Sequence, residues 1–445
     1  MREGSLDAPT RHPVPWQDEA FYDRKALDQE LHRVFDICHG CRRCFNLCDS
    51  FPKLFDLIDE SETGELDSVD SKDFQPVLDA CTLCDMCFMT KCPYVPPHEF
   101  NLDFPHLILR ARAVEAREGR VPLAHREISK TDRNGKIAGK IAPLANWSNK
   151  CGNHLTRPLM EKTVGIDRAA KLPEFHSKTF MKRATSHPEP VNKEAPAFGR
   201  KAVIYATCFA NYNNPDIGTA ALQVLGKNGV TITPSYPGCC GMPSLEQGDL
   251  EKVANSAKKV AAELVPLIDQ GHDIIALVPS CALMLKFEWP LLLPDDANIK
   301  KLSEATYDIS EYIMDIAKNE GMADGMTPLT GAIAAHIACH ARAQNMGQKA
   351  AQLLRLIPEA EVTVIERCSG HGGSWGIFKG NFQTALKVGK PVARQAKKIN
   401  PAHVVSECPL ARDHILQGMD KLDGEHTETS TAQHPIQLLA RSYGF

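Results

Sequence analysis

Four cysteines within eleven residues, Cys38, Cys41, Cys44 and Cys48, constrain this chain more than any other feature. A second run of the same form follows at Cys81, Cys84, Cys87 and Cys92, with Pro93 after the last. Zinc is the first competitor for so many thiols, but tetrahedral zinc sites usually join two short cysteine pairs across a longer spacer. A C-x-x-C-x-x-C run instead grips three corners of an iron-sulfur cube, and its fourth cysteine serves the other cluster of a two-cluster pair. On that rule Cys38, Cys41, Cys44 and Cys92 hold one 4Fe-4S cluster, and Cys81, Cys84, Cys87 and Cys48 hold the other. Two departures stand out. Four residues, not three, separate Cys87 from Cys92, and Asp49 follows Cys48 where proline is usual. Neither removes a ligand.

A chain of 445 residues has room for about three domains. Its sixteen cysteines are therefore not needed as staples, and disulfide scaffolds are short chains. Nothing from Met1 to Trp16 forms the apolar core of a signal peptide, so a reducing, cytoplasmic compartment is expected. The longest apolar stretch, Ile274 to Pro294, contains Lys286, Glu288, Pro279 and Pro290. It reads as a buried strand and its following loop, not as a membrane span.

The net charge of −4 conceals an asymmetry. Residues 1–100 hold 10 Lys+Arg against 20 Asp+Glu, residues 101–200 hold 19 against 10, and the remainder holds 22 against 25. The basic middle could meet an acidic partner, anionic lipid or the acidic cysteine-bearing region of the same chain. A solvated basic face docking internally is the plainer alternative. No nucleic-acid partner is expected.

Along the chain, residues 1–30 read as an arm leading into a helix from Asp23 to Phe35 that delivers Cys38. Asp59 to Asp73 is acidic and rich in serine, an exposed loop. Helix resumes near Pro76 to Asp79 and again over Leu107 to Glu118, and the basic region that follows is broken by Pro122, Pro143, Pro158 and Pro173. Cys151 stands alone there and reads as a small core residue. Ser186 to Pro196 is a linker.

From Lys201 short apolar runs alternate with helical stretches, the signature of βαβ units. Strands over Val203 to Ala206, Val230 to Pro234 and Ile274 to Val278 lead to Cys208, to Cys239-Cys240-Gly241 and to Cys281. Helices are expected over Pro215 to Asn228 and Leu250 to Gln270. Ligands of open α/β sheets bind at the carboxyl ends of the strands, so these four cysteines can converge. The pattern then repeats: Ile333 to Ile337 leads to Cys339, Val362 to Ile365 to Cys368-Ser369-Gly370, and His403 to Val405 to Cys408. The offsets, 339 − 208 = 131, 368 − 239 = 129 and 408 − 281 = 127, mark an internal duplication. Ser369 replaces one cysteine in the second copy. Gly370, Gly372, Gly373 and Gly376 lack the strand-turn-helix context of a dinucleotide site.

A two-cluster ferredoxin region followed by duplicated Cys-Cys-Gly halves resembles the CCG family. That family includes the catalytic B subunit of heterodisulfide reductase and iron-sulfur subunits of respiratory dehydrogenases. Within it, Cys208-Phe-Ala-Asn-Tyr-Asn-Asn-Pro215, Cys239-Cys240-Gly241-Met-Pro243 and His336-Ile-Ala-Cys339-His340 look like the branch formed by the C subunits of anaerobic glycerol-3-phosphate dehydrogenases. The resemblance implies an α+β multidomain chain. A helical two-cluster ferredoxin domain over 1–100 and a basic connector over 101–200 would precede a first CCG half over 201–325 and a degenerate second half over 326–445.

Full family motifs end in C-x-x-C, and in heterodisulfide reductase five cysteines per half hold a non-cubane cluster. Here Cys281-Ala-Leu-Met284 leaves four, Cys208, Cys239, Cys240 and Cys281, enough for an ordinary cluster. Cys408-Pro-Leu-Ala411 leaves three, Cys339, Cys368 and Cys408. The second half then holds no metal, or one completed by a substitute such as His336, His340 or His371.

Two functions follow from the resemblance. One is an electron-transfer subunit between a flavin-dependent dehydrogenase, or a rubrerythrin-like redox protein, and an acceptor such as quinone, placed in the cytoplasm or peripherally at the inner membrane face. The other is a thiol-disulfide or quinone reductase with chemistry at a CCG cluster.

Overall fold

Residues 9–424 and 427–445 are described by the computed structural model, so the first eight residues of the expected N-terminal arm lie outside it. The chain is α+β: a helical N-terminal region is followed by two small parallel sheets with helices on their faces.

The N-terminal helix, Arg24–Cys41, starts where the Asp23 carboxylate accepts the Ala26 N–H at 2.7 Å, satisfying one of the orphan donors of the first turn. Leu27, Leu31, Val34 and Phe35 recur at helical spacing and are its buried face. Phe35 meets Phe74 edge-on at 4.9 Å between ring centroids, and Phe51 lies 4.8 Å from Phe104. Burying rings and branched chains of this size contributes about 1.5–3 kcal/mol each. The helix does not stop at Phe35. It carries Cys38 and Cys41 within its last turn and ends at Arg42, whose φ of 51° breaks the right-handed path. The acidic segment expected as an exposed loop is only partly so, because short 3-10 turns at Leu66–Ser68 and Ser71–Phe74 bury Leu66, Val69 and Phe74.

The first sheet contains β1 (Lys201–Tyr205), β2 (Thr231–Ser235), β3 (Asp273–Ala276) and β4 (Thr306–Asp308), in the order β2-β1-β3-β4 and all parallel. The second contains β5 (Ile333–His336), β6 (Val362–Ile365) and β7 (His403–Ser406), in the order β6-β5-β7. The duplicated cysteine spacing is thus a duplicated topology, with the first strand of each copy in the centre. Side chains alternate across a strand, and β1 divides accordingly. Val203 and Tyr205 join the core shared with the N-terminal helices, whereas Ala202 and Ile204 join a core that runs on through Ile333, Ala335 and Val405 of the second sheet. The two halves share that core, and the C-terminal helix Pro435–Ser442 adds Ile436 and Leu439 to it.

The apolar stretch after β3 is not a loop. It forms helices Pro279–Leu283 and Trp289–Leu292, joined by a π-turn at Met284–Glu288. Pro279 and Pro290 sit in first turns, where a missing N–H breaks no helical bond. Among the described residues no helix is long and apolar enough to cross a membrane. Cys151, expected as a core residue, is exposed.

Gly241 and Gly370 close the equivalent turns at φ 86° and 80°. A Cβ on Gly241 would meet the Val253 side chain at 3.4 Å, ordinary contact, whereas one on Gly370 would lie 2.0 Å from the Ala385 carbonyl oxygen. Gly241→Ala is therefore expected to cost about 1 kcal/mol of backbone strain. Gly370→Ala should cost several times as much, about 3–4 kcal/mol. Chemical denaturation of both variants of the full chain checks the ordering.

Candidate metal centres

The thiols gather into groups. Burial first, and then the charges of Cys92, Cys44 and Cys41, push the Cys38 thiol well up, so Cys92 from the second run stands among the first three cysteines of the first. Cys48 is raised by burial and then by Cys84 and Cys81, and Cys87 by burial and then by Cys84, Cys81, Cys48 and Cys44. The thiols of the two runs therefore lie within electrostatic reach of one another. Helix Arg24–Cys41 brings Cys38 and Cys41, and the short helix Met86–Thr90 brings Cys87.

Two arginines hold the second run in place. Arg112 donates to the carbonyl oxygens of Cys81 at 2.5 Å, Leu78 at 3.1 Å and Glu246 at 3.0 Å, tying the run to the first α/β half. Arg11 reaches Asp85 at 2.7 Å, Asp103 at 2.7 Å and Glu288 at 3.2 Å, and its guanidinium lies 4.5 Å from the centre of the Phe88 ring. His106 completes this strap with Nε2 at 3.2 Å from Glu288. Sequence reading missed it: the partners are up to 277 positions apart and belong to no motif.

In the first half all four expected cysteines stand at the carboxyl edge. Cys208 opens helix Cys208–Tyr212 after β1, Cys239 and Cys240 follow β2, and Cys281 lies in the helix after β3. The Cys239 and Cys208 sulfurs are 3.9 Å apart, and those of Cys240 and Cys281 are 3.2 Å apart. Cys239 is the acidic member. Hydrogen bonds from Cys208 and Cys240 hold it well below the usual thiol range, and the same bonds raise its two partners. Backbone and ring contacts fix the edge: Tyr205 donates to the Gly238 carbonyl at 2.6 Å and Trp289 Nε1 to the Cys240 carbonyl at 3.0 Å. The basic segment covers it. From helix Thr131–Lys140, Asp132 accepts the Cys239 N–H at 3.1 Å and the Tyr236 hydroxyl, and Gly135 lies against the Tyr212 ring.

In the second half Cys339, Cys368 and Cys408 occupy the equivalent edge. The backbone N–H of Gly370 points at the Cys368 sulfur at 3.3 Å, as that of Gly241 does at Cys239 at 3.5 Å. Burial pushes Cys408 up to about 11, whereas Cys368 is exposed to solvent. Of the histidines considered as substitutes, His336 uses both nitrogens, Nδ1 toward the Ser406 hydroxyl at 2.9 Å and Nε2 toward the Arg367 carbonyl at 3.0 Å. His340 Nε2 is 3.4 Å from the Leu83 carbonyl. The His371 ring lies 6.0 Å from that of His414, and its Nε2 is buried without a hydrogen-bond partner. Two buried carboxyls at the edges of β4 and β7 were also missed. Burial holds Asp308 up to about 6, and burial followed by Asp308 raises Glu407.

The donor chemistry fits iron-sulfur groups. All sixteen cysteines are free thiols. Soft thiol donors in this number suit an inorganic core of iron and sulfide.

Residues 202–286 and 333–410 match the cysteine-rich domain called CCG. The chain carries two CCG domains. It is 27% identical over 341 residues to the C subunit of the anaerobic glycerol-3-phosphate dehydrogenase of Escherichia coli (strain K12), covering 76% of this chain and 81% of that one. The B subunit of the fumarate reductase (CoM/CoB) of Methanothermobacter marburgensis is 25% identical over 408 residues, 86% of this chain and 68% of its own. An uncharacterized iron-sulfur protein of Methanococcus maripaludis is 26% identical over 257 residues, 56% of this chain and 48% of its own.

The strap between the N-terminal arm and the first CCG domain has a pH signature. Burial and Arg11 depress His106, but Asp103 and Glu288 outweigh them and leave it raised. Burial raises Glu288 and Asp103, but His106 and Arg11 outweigh it and leave both lowered. The carboxylate contribution is present above a pH of about 4 and is lost as pH falls through the lowered values. The His106 contribution is complete below about 6.5 and is lost as pH rises through the raised one. Relative to the unsubstituted chain, His106→Gln is expected to lose more stability at pH 6 than at pH 9, read from the denaturation midpoints of the two proteins at both values. Arg11→Met strands buried carboxylates and should cost about 3–5 kcal/mol.

Proposed function

We propose that this chain is an iron-sulfur electron-transfer subunit working between a flavin-dependent dehydrogenase, or a rubrerythrin-like redox protein, and an acceptor such as quinone. The reading is supported by the approach of the two N-terminal cysteine runs to one another, with Cys92 beside Cys38 and Cys48 beside Cys81 and Cys84. In this reading Cys38, Cys41, Cys44 and Cys92 hold one 4Fe-4S cluster, and Cys48, Cys81, Cys84 and Cys87 a second. Cys208, Cys239, Cys240 and Cys281 hold a third. Bound clusters supply one-electron steps at potentials set by net charge, hydrogen bonds to sulfur and solvent access. The residues here act on those terms. The Gly241 N–H, directed at Cys239, stabilises negative charge on that sulfur, and Arg11 and Arg112 place positive charge beside the second run.

The connector supports an acceptor at a membrane surface. Helices Thr131–Lys140 and Ala142–Asn149 carry Ile137, Ile141, Leu144 and Trp147, three or four residues apart and between 49% and 59% exposed. Exposed Arg133, Lys136, Lys140 and Lys150 accompany them. An apolar stripe with an indole and basic flanks suits the interface of an anionic bilayer. The same helix covers the first CCG edge through Asp132, so a group bound there lies next to that surface. The proposed location is cytoplasmic, peripheral at the inner face of the membrane.

Anaerobically purified protein is expected to contain iron and sulfide and to show magnetically coupled spectra on reduction. Cys44→Ser should damage the cluster shared with Cys92 more than its neighbour. Zinc in place of iron in the N-terminal region would refute the assignment. Binding to anionic vesicles should weaken steeply with salt, since exposed charges are screened over about 8–10 Å at physiological ionic strength. Trp147→Glu should reduce it several-fold. No binding at low ionic strength would make the basic face an internal one.

A further inference from the structure

The second CCG domain has three thiols at its edge, and two of the nearby histidines are engaged elsewhere: His336 with Ser406 and Arg367, His340 with Leu83. His371, whose buried Nε2 lacks a hydrogen-bond partner, is the competing fourth ligand. The element facing this edge is the loop of residues 82–85 from the second ferredoxin-type run. His340 reaches the Leu83 carbonyl at 3.4 Å, and a Cβ on Gly372 would lie 2.7 Å from the Thr82 methyl carbon. Leu83 and Asp85, on either side of Cys84, have φ of 48° and 62°. Left-handed conformations at non-glycine residues cost about 1–3 kcal/mol each and persist where the surroundings over-determine them. Here the Asp85 carboxylate is held by Arg11 at 2.7 and 3.0 Å, and the Leu83 carbonyl faces His340. Cys84 follows Leu83 directly, so the loop that meets His340, the neighbour of Cys339, and Gly372, close after Cys368, carries its thiol to this edge. Cys84 lies where the second cysteine run meets the second CCG edge.

We propose that Cys84 is a shared thiolate, completing the second CCG domain's metal site with Cys339, Cys368 and Cys408 while also serving the group of Cys48, Cys81 and Cys87. This rests on the iron-sulfur reading above. Thiols bind metal as thiolates and release their protons. A thiolate sulfur keeps lone pairs enough for two iron atoms, so Cys84 forms two Fe–S bonds, loses one proton to solvent and undergoes no redox change. A site of three thiols at one edge becomes a site of four across a domain boundary. It is then bonded to its electron partner through one sulfur atom.

Iron and acid-labile sulfide per chain, with electron paramagnetic resonance and Mössbauer spectra, are to be measured on the full-length protein and on Cys81→Ser, Cys84→Ser, Cys339→Ser, Cys368→Ser and His371→Gln. Cys84→Ser is expected to lose about twice the iron that Cys81→Ser loses, and His371→Gln to keep its full iron. Cys339→Ser and Cys368→Ser should keep the N-terminal iron and alter its spectral line shape. Equal iron loss in Cys84→Ser and Cys81→Ser, with N-terminal spectra unchanged in Cys339→Ser, overturns the sharing and leaves the electron-transfer reading standing. Iron loss in His371→Gln, with N-terminal spectra unchanged, likewise overturns it by making the imidazole the fourth ligand. If Cys84→Ser does not fold, the spectra of the Cys339 and Cys368 variants decide alone. A full-length protein that takes up no iron overturns both.

Discussion

Crowded thiols in a low-dielectric interior cannot all ionise unless positive charge is placed among them, and most of this structure answers to that constraint. Around the second run the protein supplies little positive charge of its own beyond Arg112 and Arg11, and both reach backbone or carboxylate oxygens first. Burial leads the upward push on Cys38, Cys48, Cys84 and Cys87. Each group is therefore unfavourable as free thiolates and favourable around a cationic core, so metal binding and completion of the local fold are one event. The architecture around them, a helix end, two interleaved runs and strand edges, holds such groups at fixed positions without enclosing them in a sheet.

How far this was legible follows from how local each signal is. The cysteine runs depend on neighbours a few positions apart, and the strand-edge cysteines on a βαβ rhythm of short runs, so spacing locates both. The convergence of Cys208, Cys239, Cys240 and Cys281 needs only the rule that parallel strands end on one edge. Sequence reading cuts helix Arg24–Cys41 short because His39 and Gly40 weaken propensity, and tertiary packing overrides such terms. The stretch after β3 reads as loop because proline is a breaker in a helix interior, yet Pro279 and Pro290 lie in first turns. Strand β4 has three residues, too few for any periodicity. The Arg11 strap and the Asp132 cover are invisible for a different cause: a single charged residue in a loop carries no signal until the chain brings its partners together.

The duplicated CCG domains started from one topology and now differ chiefly in what lies over their carboxyl edges. Over the first is helix Thr131–Lys140, which presents Asp132 to the Cys239 amide and offers no sulfur. That domain keeps four thiols of its own. Over the second is the loop of residues 82–85, which carries Cys84. A domain whose neighbour supplies a thiolate can lose one of its own, and Ser369 stands where the first copy has Cys240. The loss is then a consequence of docking. The same loop is gripped by Arg11 on one side and faces His340 on the other, and Arg11 also reaches Glu288 after β3, so displacing the N-terminal arm disturbs the surroundings of both domains. The two edges also have different neighbours, one the loop of the second cysteine run and one the helix that carries part of the exposed basic face. In the proposed electron-transfer role these two lids would distinguish an entry side from an exit side even though the two domains share one fold.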